Sequence, residues 1–174
     1  MALLLAQWDL QMYIKYFKKQ FCTFAAIQNR FMILFHIQKP NVKISNRRAI
    51  KKWIAQVLTE KRKSVGDINI IICDSEYILQ LNKQYLNHNY YTDVLTFPYT
   101  QPTEKWVCGD LFIDIETVER NATLYRQTKS QELLRVIIHG ILHLLGMDDK
   151  TKEERLLMRN EEDKALQKIN VKVI

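Results

Sequence analysis

The sequence lacks the segments that mark membrane proteins, secreted precursors and proteins whose zinc is bound by cysteine. Its three cysteines, Cys22, Cys73 and Cys108, are widely spaced and form no CxxC pair, which argues against a zinc site built from thiolates. The apolar N-terminal stretch MALLLAQW is interrupted by Asp9 and is too short to span a membrane. No basic segment precedes it and no small-residue cleavage site follows it. We therefore expect a cytoplasmic protein.

Positive charge is present in excess and is unevenly placed. The net charge is +7, and residues 39–63 contain nine Lys or Arg residues against one acid, Glu60. Such a block predicts a face that binds a polyanion, although a solvated helix face that maintains solubility would have the same composition. The candidate RNA-binding residues in this block are Arg47, Arg48, Lys51 and Lys52.

Residues 1–31 differ from the rest of the chain and are interpreted as an N-terminal extension. The sequence from Met32, MILFHIQKPNVKIS, is typical of the first strand of a compact domain. We expect residues 1–31 to be either untranslated or poorly ordered, and residues 32–174 to form one domain. A basic amphipathic helix that contacts a membrane or a partner is the alternative for this segment.

Hydrophobic periodicity in residues 32–174 predicts strands that alternate with helices. The predicted strands cover 33–37, 68–73, 92–99 and 109–115, and the predicted helices 46–61, 75–86, 116–127, 130–145 and 152–169. Gly66 and Asp67 predict a turn immediately before the second strand. This order indicates an α+β fold, a single domain in which a mixed sheet of about four strands packs with helices.

The most informative stretch is SQELLRVIIHGILHLLGMDDK, residues 130–150. His139 and His143 are four residues apart, so both imidazoles leave the same face of a helix. Gly146 ends the helical pattern, and a chain that turns at a glycine can bring Asp148 or Asp149 back toward the last helical turns. Two histidines and one aspartate with an open fourth position are typical of a catalytic zinc site. The alternative is a pair of hydrogen-bonded core histidines, but two adjacent imidazoles on a buried apolar helix need partners.

The zinc-protease interpretation of this histidine pair lacks an essential residue. Metalloproteases with an HExxH motif carry a glutamate general base directly after the first histidine. That position is Gly140 in this chain. The residues therefore favour metal-dependent chemistry on a substrate other than a peptide.

Three motifs in this order resemble the YbeY family of metal-dependent endoribonucleases. HGILHLLGMDDK is similar to the family motif H-G-x-L-H-L-x-G-Y-D-H, with Met147 in place of the tyrosine, and LNKQYLNHNYYTDVLTFPY and GDLFID are similar to the upstream family segments. The resemblance covers roughly residues 32–169. It implies a bacterial cytoplasmic protein that binds one zinc ion per chain, cleaves single-stranded RNA, and acts in ribosomal RNA maturation and ribosome quality control.

The sequence departs from the family pattern at two positions. The third metal ligand of the family is usually histidine, and Asp149 stands there in this chain; some relatives also carry aspartate, so the resemblance implies the ligand set His139, His143 and Asp149. A carboxylate oxygen is a suitable zinc ligand. The arginine that usually follows the tyrosine of the upstream motif is Leu86 here. His88 is the nearest candidate to replace this cation in catalysis, and an exposed loop histidine is the alternative.

The sequence leaves three functions open. The first is an endoribonuclease that matures the 3′ end of small-subunit rRNA, with the basic helix holding RNA phosphates and with Tyr85, Tyr90 and Tyr91 available for base stacking or, for Tyr85 especially, packed on the sheet. The second is a zinc hydrolase of another substrate, such as a peptide. The third is a non-catalytic, ribosome-associated RNA-binding module with a structural metal. None of the three predicts DNA or a membrane as a partner.

Overall fold

A four-stranded sheet with helices on both faces forms the framework of the described residues. The computed structural model describes residues 32–86 and 89–174. The strands are β1 (Ile33–Ile37), β2 (Ser64–Cys73), β3 (Val94–Pro98) and β4 (Trp106–Asp114). The helices are α1 (Arg47–Glu60), α2 (Ser75–Leu81) with a π-helical turn (Asn82–Leu86) after it, α3 (Ile115–Leu124), α4 (Lys129–Leu144) and α5 (Lys152–Leu166). The predicted N-terminal extension, residues 1–31, and the candidate catalytic residue His88 lie outside the described residues.

The sheet combines parallel and antiparallel pairs in the strand order β1-β2-β4-β3. β1 is parallel to β2 and β2 is parallel to β4, so helices occur in the connections between them. β3 is antiparallel to β4 and forms one edge of the sheet, with Pro98 at its last residue as expected for a proline in a strand. The predicted α+β fold with a mixed sheet of four strands is confirmed.

One face of the sheet is covered by α1 and α4. The apolar stripe predicted on α1 is fully buried and consists of Ile50, Trp53, Ile54, Val57 and Leu58. It belongs to the same core cluster as Ile68, Ile70 and Ile72 of β2. The apolar helix α4 lies over β3 and β4, and α5 packs on α4. The opposite face carries α2, where the Tyr77 ring lies 6.1 Å from the Phe112 ring of β4.

The second strand begins earlier than the sequence predicted, because Gly66 and Asp67 do not form a turn. β2 starts at Ser64, and its register with β4 shifts between Val65 and Ile68. A Cβ atom at Gly66 would lie 2.4 Å from Cys108 Sγ and 2.7 Å from the carbonyl oxygen of Val107. The glycine therefore permits a close approach of two strands at a bulge, and the turn prediction for this position was wrong.

Two glycines allow α4 to approach the sheet closely. A Cβ at Gly140 would lie 2.7 Å from Leu111 Cδ2, and a Cβ at Gly109 would lie 2.6 Å from Leu144 Cδ2 and 2.8 Å from the carbonyl oxygen of Phe97. The last turns of α4 are thus held against β3 and β4, and the side of the helix that carries Gly140 faces the core. Among the described residues, no helix is long and apolar enough to cross a membrane.

Candidate metal centre

The candidate site begins where α4 ends in a glycine turn. The Gly146 N–H donates to the His143 carbonyl at 2.9 Å, and the Met147 N–H donates to the Leu142 carbonyl at 3.1 Å. These two bonds are those of a Schellman motif, which requires a left-handed residue directly after the helix. Gly146 supplies it with φ of 87°, and a Cβ there would lie 2.6 Å from Pro102 Cγ. The turn reverses the chain, so the residues after the helix return toward His143.

We expect Gly146→Ala to destabilise the protein and to weaken metal binding. A left-handed non-glycine residue costs about 1–2 kcal/mol, and contact with Pro102 adds to this cost. Urea unfolding of the metal-free protein should therefore show a loss of at least about 1 kcal/mol in the free energy of unfolding. An unchanged midpoint and slope would contradict the requirement for glycine at this turn.

Three potential metal ligands converge next to this turn. His139 Nε2 lies 3.0 Å from His143 Nε2 and 3.6 Å from Asp149 Oδ2. Each of the three residues offers one ligand atom, and these atoms all lie within 4.8 Å of one another. Among the described residues, His139, His143 and Asp149 therefore form a group that could hold a metal ion. The spacing resembles that of a tetrahedral zinc site, where two nitrogen ligands at about 2.0–2.1 Å from the ion lie about 3.3 Å apart.

Hydrogen bonds at the other ring nitrogens determine how the two imidazoles face the site. His143 Nδ1 lies 2.9 Å from the Met147 carbonyl oxygen, so it must donate its proton to that oxygen. His139 Nδ1 likewise lies 2.9 Å from Glu162 Oε1 and donates to it. In neutral rings both Nε2 atoms then carry lone pairs that point at each other, an arrangement that a cation between them would stabilise. The chemistry of these donors therefore fits a divalent metal ion.

The electrostatic environment of the two histidines is asymmetric. Burial lowers the pKa of His139, but the hydrogen bond to Glu162 and the charges of Asp93, Glu162 and Asp149 outweigh burial and raise it. Burial, together with the neighbouring His139, lowers the pKa of His143. A proton bound between the two Nε2 atoms, 3.0 Å apart, would occupy the place of a metal ion. Protons and metal ions therefore compete for the same site.

Only one of the two candidate aspartates faces the histidines at ligand distance. Asp149 Oδ2 is the carboxylate oxygen of the cluster, whereas Asp148 pairs with Lys150 at 2.5 Å. The hydrogen bond from Lys150 holds the pKa of Asp148 below its usual range. Arg155 of α5 donates to the carbonyl oxygens of Asp149 and Lys150 at 3.2 and 2.6 Å, and so ties the loop to the helix that follows it.

Comparison with known proteins places this site in a family. The family model described as Endoribonuclease YbeY matches residues 34–170. The chain belongs to the YbeY endoribonuclease family. Endoribonuclease YbeY of Parabacteroides distasonis is 45% identical over 130 residues, which are 75% of this chain and 88% of that protein. The protein of the same name from Flavobacterium psychrophilum is 44% identical over 120 residues, 69% of this chain and 84% of the relative.

The fold is shared with a solved structure at lower sequence identity. The solution structure of TM1509 from Thermotoga maritima has a TM-score of 0.56 and 27% identity, covering 78% of this chain and 87% of that protein. The family predicted from three sequence motifs is confirmed, and with it the enzyme class, an endoribonuclease. The three potential ligands of this YbeY family member all lie within the matched residues.

Sequence reasoning missed the carboxylate behind His139. Glu162 lies on α5, where the buried residues Met158, Glu162 and Ala165 recur at helical spacing. An acid within an apolar stripe is the signal that could have identified it, but the acids around it on this charged helix obscured that signal. Burial raises the pKa of Glu162, yet the hydrogen bonds from His139 and Arg135 outweigh burial and hold it below its usual range.

The candidate RNA-binding residues lie on α1, which also contacts α5 through the hydrogen bond from Trp53 Nε1 to the Ala165 carbonyl at 2.8 Å. α1 packs on β2, and the Arg47 guanidinium lies 5.8 Å from the centre of the Phe35 ring on β1. α4, with the two histidines, lies over β3 and β4. Arg47 also donates from Nε to the Ile44 carbonyl at 3.1 Å, whereas Arg48 and Lys52 are exposed.

The tyrosines named as stacking candidates fall into two groups. Tyr85 packs edge-on against Phe97 with ring centroids 5.6 Å apart, which confirms the packed alternative for this residue. Tyr90 and Tyr91 are 58% and 56% exposed and precede the edge strand β3. Both side chains are thus more than half exposed to solvent just before β3.

Two further acids, Asp110 and Glu116, have partners other than the histidine pair. Asp110 accepts hydrogen bonds from Asn69 at 2.8 Å and from the Tyr99 hydroxyl at 2.6 Å. Glu116 pairs with Lys39. Both carboxylates already have structural partners, so neither is assigned to the metal centre.

Proposed function

We propose that this protein is a metal-dependent endoribonuclease that cleaves single-stranded RNA and acts in maturation of the 3′ end of small-subunit rRNA and in ribosome quality control. The observation that carries the proposal is the convergence of His139, His143 and Asp149 at the end of α4, within the motif that aligns with the family. We further propose that one zinc ion per chain binds there, and that residues 32–174 form the catalytic domain of a cytoplasmic enzyme.

With three protein ligands, a tetrahedral metal ion would keep its fourth coordination position open for water or substrate. A bound zinc ion would supply Lewis acidity toward a phosphoryl oxygen and a water molecule of lowered pKa. His139 and His143 would present neutral Nε2 atoms, because their Nδ1 protons are held by Glu162 and Met147. Asp149 would add the negative charge and is 40% exposed at its side chain, so the site is reachable from solvent.

The basic helix α1 would hold the RNA backbone away from the scissile bond. α1 packs on β2, and Trp53 Nε1 of α1 donates to the Ala165 carbonyl of α5 at 2.8 Å, so α1 adjoins the helix that carries Glu162. We propose that a single RNA strand contacts both α1 and the metal centre. In this proposal Arg47, Arg48, Lys51 and Lys52 set affinity, and Tyr90 and Tyr91 stack on unpaired bases. His88 remains a proposed catalytic contact.

We expect the double substitution Arg48→Gln with Lys52→Gln to weaken RNA binding in a salt-dependent manner. Each lost phosphate contact in a single strand lowers the log–log salt slope by about 0.7, so the slope should fall by roughly 1.4. Titration of a fluorescent single-stranded RNA at several salt concentrations measures this change.

The matched control for this experiment removes two cations elsewhere. Arg120 on α3 and Lys129 at the start of α4 are exposed, so Arg120→Gln with Lys129→Gln lowers the net charge equally. The control variant should retain the natural salt slope. Equal slopes for both double variants would mean that α1 contributes only through overall charge.

The proposed activity is tested with the zinc-loaded and the metal-stripped protein on matched RNAs. Single-stranded rRNA carrying the 3′ end of the small subunit should be cleaved only by the loaded protein, and the same sequence in a duplex should resist cleavage. Casein serves as the peptide control, which we expect to be intact because Gly140 packs toward Leu111 and leaves the protease base position without a carboxylate. Retained rRNA binding without cleavage of any RNA would favour a binding module with a structural metal instead.

A further inference from the structure

A buried carboxylate on α5 connects the candidate metal centre to two arginines. Glu162 is 5% exposed. Its Oε1 accepts the His139 Nδ1 proton at 2.9 Å, while its Oε2 lies 2.9 Å from Arg135 Nη1 and 3.3 Å from Arg159 Nη1. One carboxylate oxygen of Glu162 thus binds the imidazole, and the other binds the two guanidinium groups. A buried carboxylate without such partners would be strongly unfavourable.

We propose that Glu162 is a positioning residue that sets the metal affinity of His139. Its Oε1 fixes the proton on Nδ1, so Nε2 is presented to the metal centre with its lone pair free. The proposal rests on the metal site of the proposed function. It concerns a residue outside the ligand set, since Glu162 Oε1 contacts the far side of the ring.

The two imidazoles are held by acceptors of different charge. His143 donates to the neutral carbonyl of Met147, whose position follows from the turn at Gly146. His139 donates to a carboxylate, which makes the imidazole a stronger ligand than a carbonyl does. Glu162 therefore affects both the orientation and the basicity of His139, whereas the Met147 carbonyl mainly orients His143.

The position of Arg135 supports a specific role for Glu162. The Arg135 side chain is 16% exposed and bonds to Glu162 at 2.9 Å and to Asp163 at 2.7 Å. Its Nε is buried and has no hydrogen-bond partner among the described residues. A buried donor without a partner is unfavourable. The two ion pairs, to Glu162 and Asp163, must therefore offset this cost and hold the guanidinium in place. Arg135 in turn fixes Glu162 Oε2.

The competing explanation for Glu162 is a structural ion pair with Arg135 that only joins α4 to α5. A substitution of Asp163 distinguishes this explanation from the positioning role. Asp163 bonds to the same Nη1 of Arg135, and the contacts of the structure join His139 to Glu162 and not to Asp163. Asp163→Asn therefore removes charge from the same ion pair without altering the partner of His139. Glu162→Gln removes the charge next to His139, and an amide cannot present oxygen to both the imidazole and the two guanidinium groups.

The test measures zinc affinity by competition with a chromophoric chelator for the natural protein and both variants. We expect the dissociation constant of Glu162→Gln to rise about 10- to 100-fold and that of Asp163→Asn to change less than twofold. Equal changes in the two variants, or an unchanged constant in Glu162→Gln, would overturn the proposal in favour of the ion pair. Glu162→Asp, which withdraws the carboxylate by one methylene, replaces Glu162→Gln if that variant does not fold, with the same expected rise.

A second readout separates this proposal from the proposed function. In nitrogen-15 spectra of the metal-free protein at high pH, neutral His139 should carry its proton on Nδ1, and this preference should weaken in Glu162→Gln but persist in Asp163→Asn. Retention of the tautomer in Glu162→Gln would overturn the positioning role. Neither measurement depends on RNA, so a failure to cleave RNA would contradict the proposed function alone.

Discussion

Replacing His143 with alanine is expected to remove zinc and to reduce RNA cleavage at least about 1,000-fold. His143 carries one of the three potential ligand atoms, and loss of a ligand should weaken zinc binding by more than the 10- to 100-fold effect of losing a group behind a ligand. A metal ion contributes several kcal/mol to the stabilisation of charge in the transition state, which corresponds to about three orders of magnitude in rate. Metal content by mass spectrometry and cleavage of single-stranded RNA under single-turnover conditions measure the two effects.

The chain contains a matched histidine for this experiment. His36 lies exposed on β1, where its Nε2 is 3.1 Å from Asn69 Oδ1, at the edge of the sheet opposite β3. His36→Ala should retain both zinc and activity. Zinc that persists at full occupancy in His143→Ala would contradict the ligand assignment, and loss of zinc with undiminished RNA cleavage would contradict a role of the metal in the reaction.

The second large effect is expected for Asp149, and it separates the two adjacent aspartates. Asp149→Ala should lower zinc content and cleavage nearly as much as His143→Ala, because its Oδ2 lies 3.6 Å from His139 Nε2 in the cluster. Asp149→His should retain zinc, since histidine is the usual third ligand in the family that the sequence resembles. The same metal analysis and RNA assay measure both variants.

Asp148→Ala is the control for this prediction. Asp148 pairs with Lys150, and its removal leaves the three potential ligand atoms in place. We expect near-natural zinc content in that variant. The opposite pattern, with zinc lost from Asp148→Ala and kept in Asp149→Ala, would assign the third ligand to Asp148 and require the loop to turn differently around the metal.

Sequence patterns predicted the parts of the fold that depend on residues close together in the chain. The spacing of His139 and His143 and the position of Gly146 follow from helical periodicity and from the left-handed turn, so these residues alone place the site at the end of α4. The buried stripe of α1 followed in the same way from its spacing. The prediction failed at Gly66, where a glycine is needed by a neighbouring strand rather than by its own turn.

The sequence by itself determined the family, the class of fold and the two histidines of the candidate site, because each rests on residues close together in the chain. Only the tertiary structure decided the order of the strands and which acid on α5 holds His139. It also places Asp149, the ligand that the family resemblance implied, next to the two imidazoles. Glu162 is 23 residues from His139 in the chain, and packing of α5 on α4 brings them together. Such contacts depend on how helices pack, and no local pattern of residues encodes them alone.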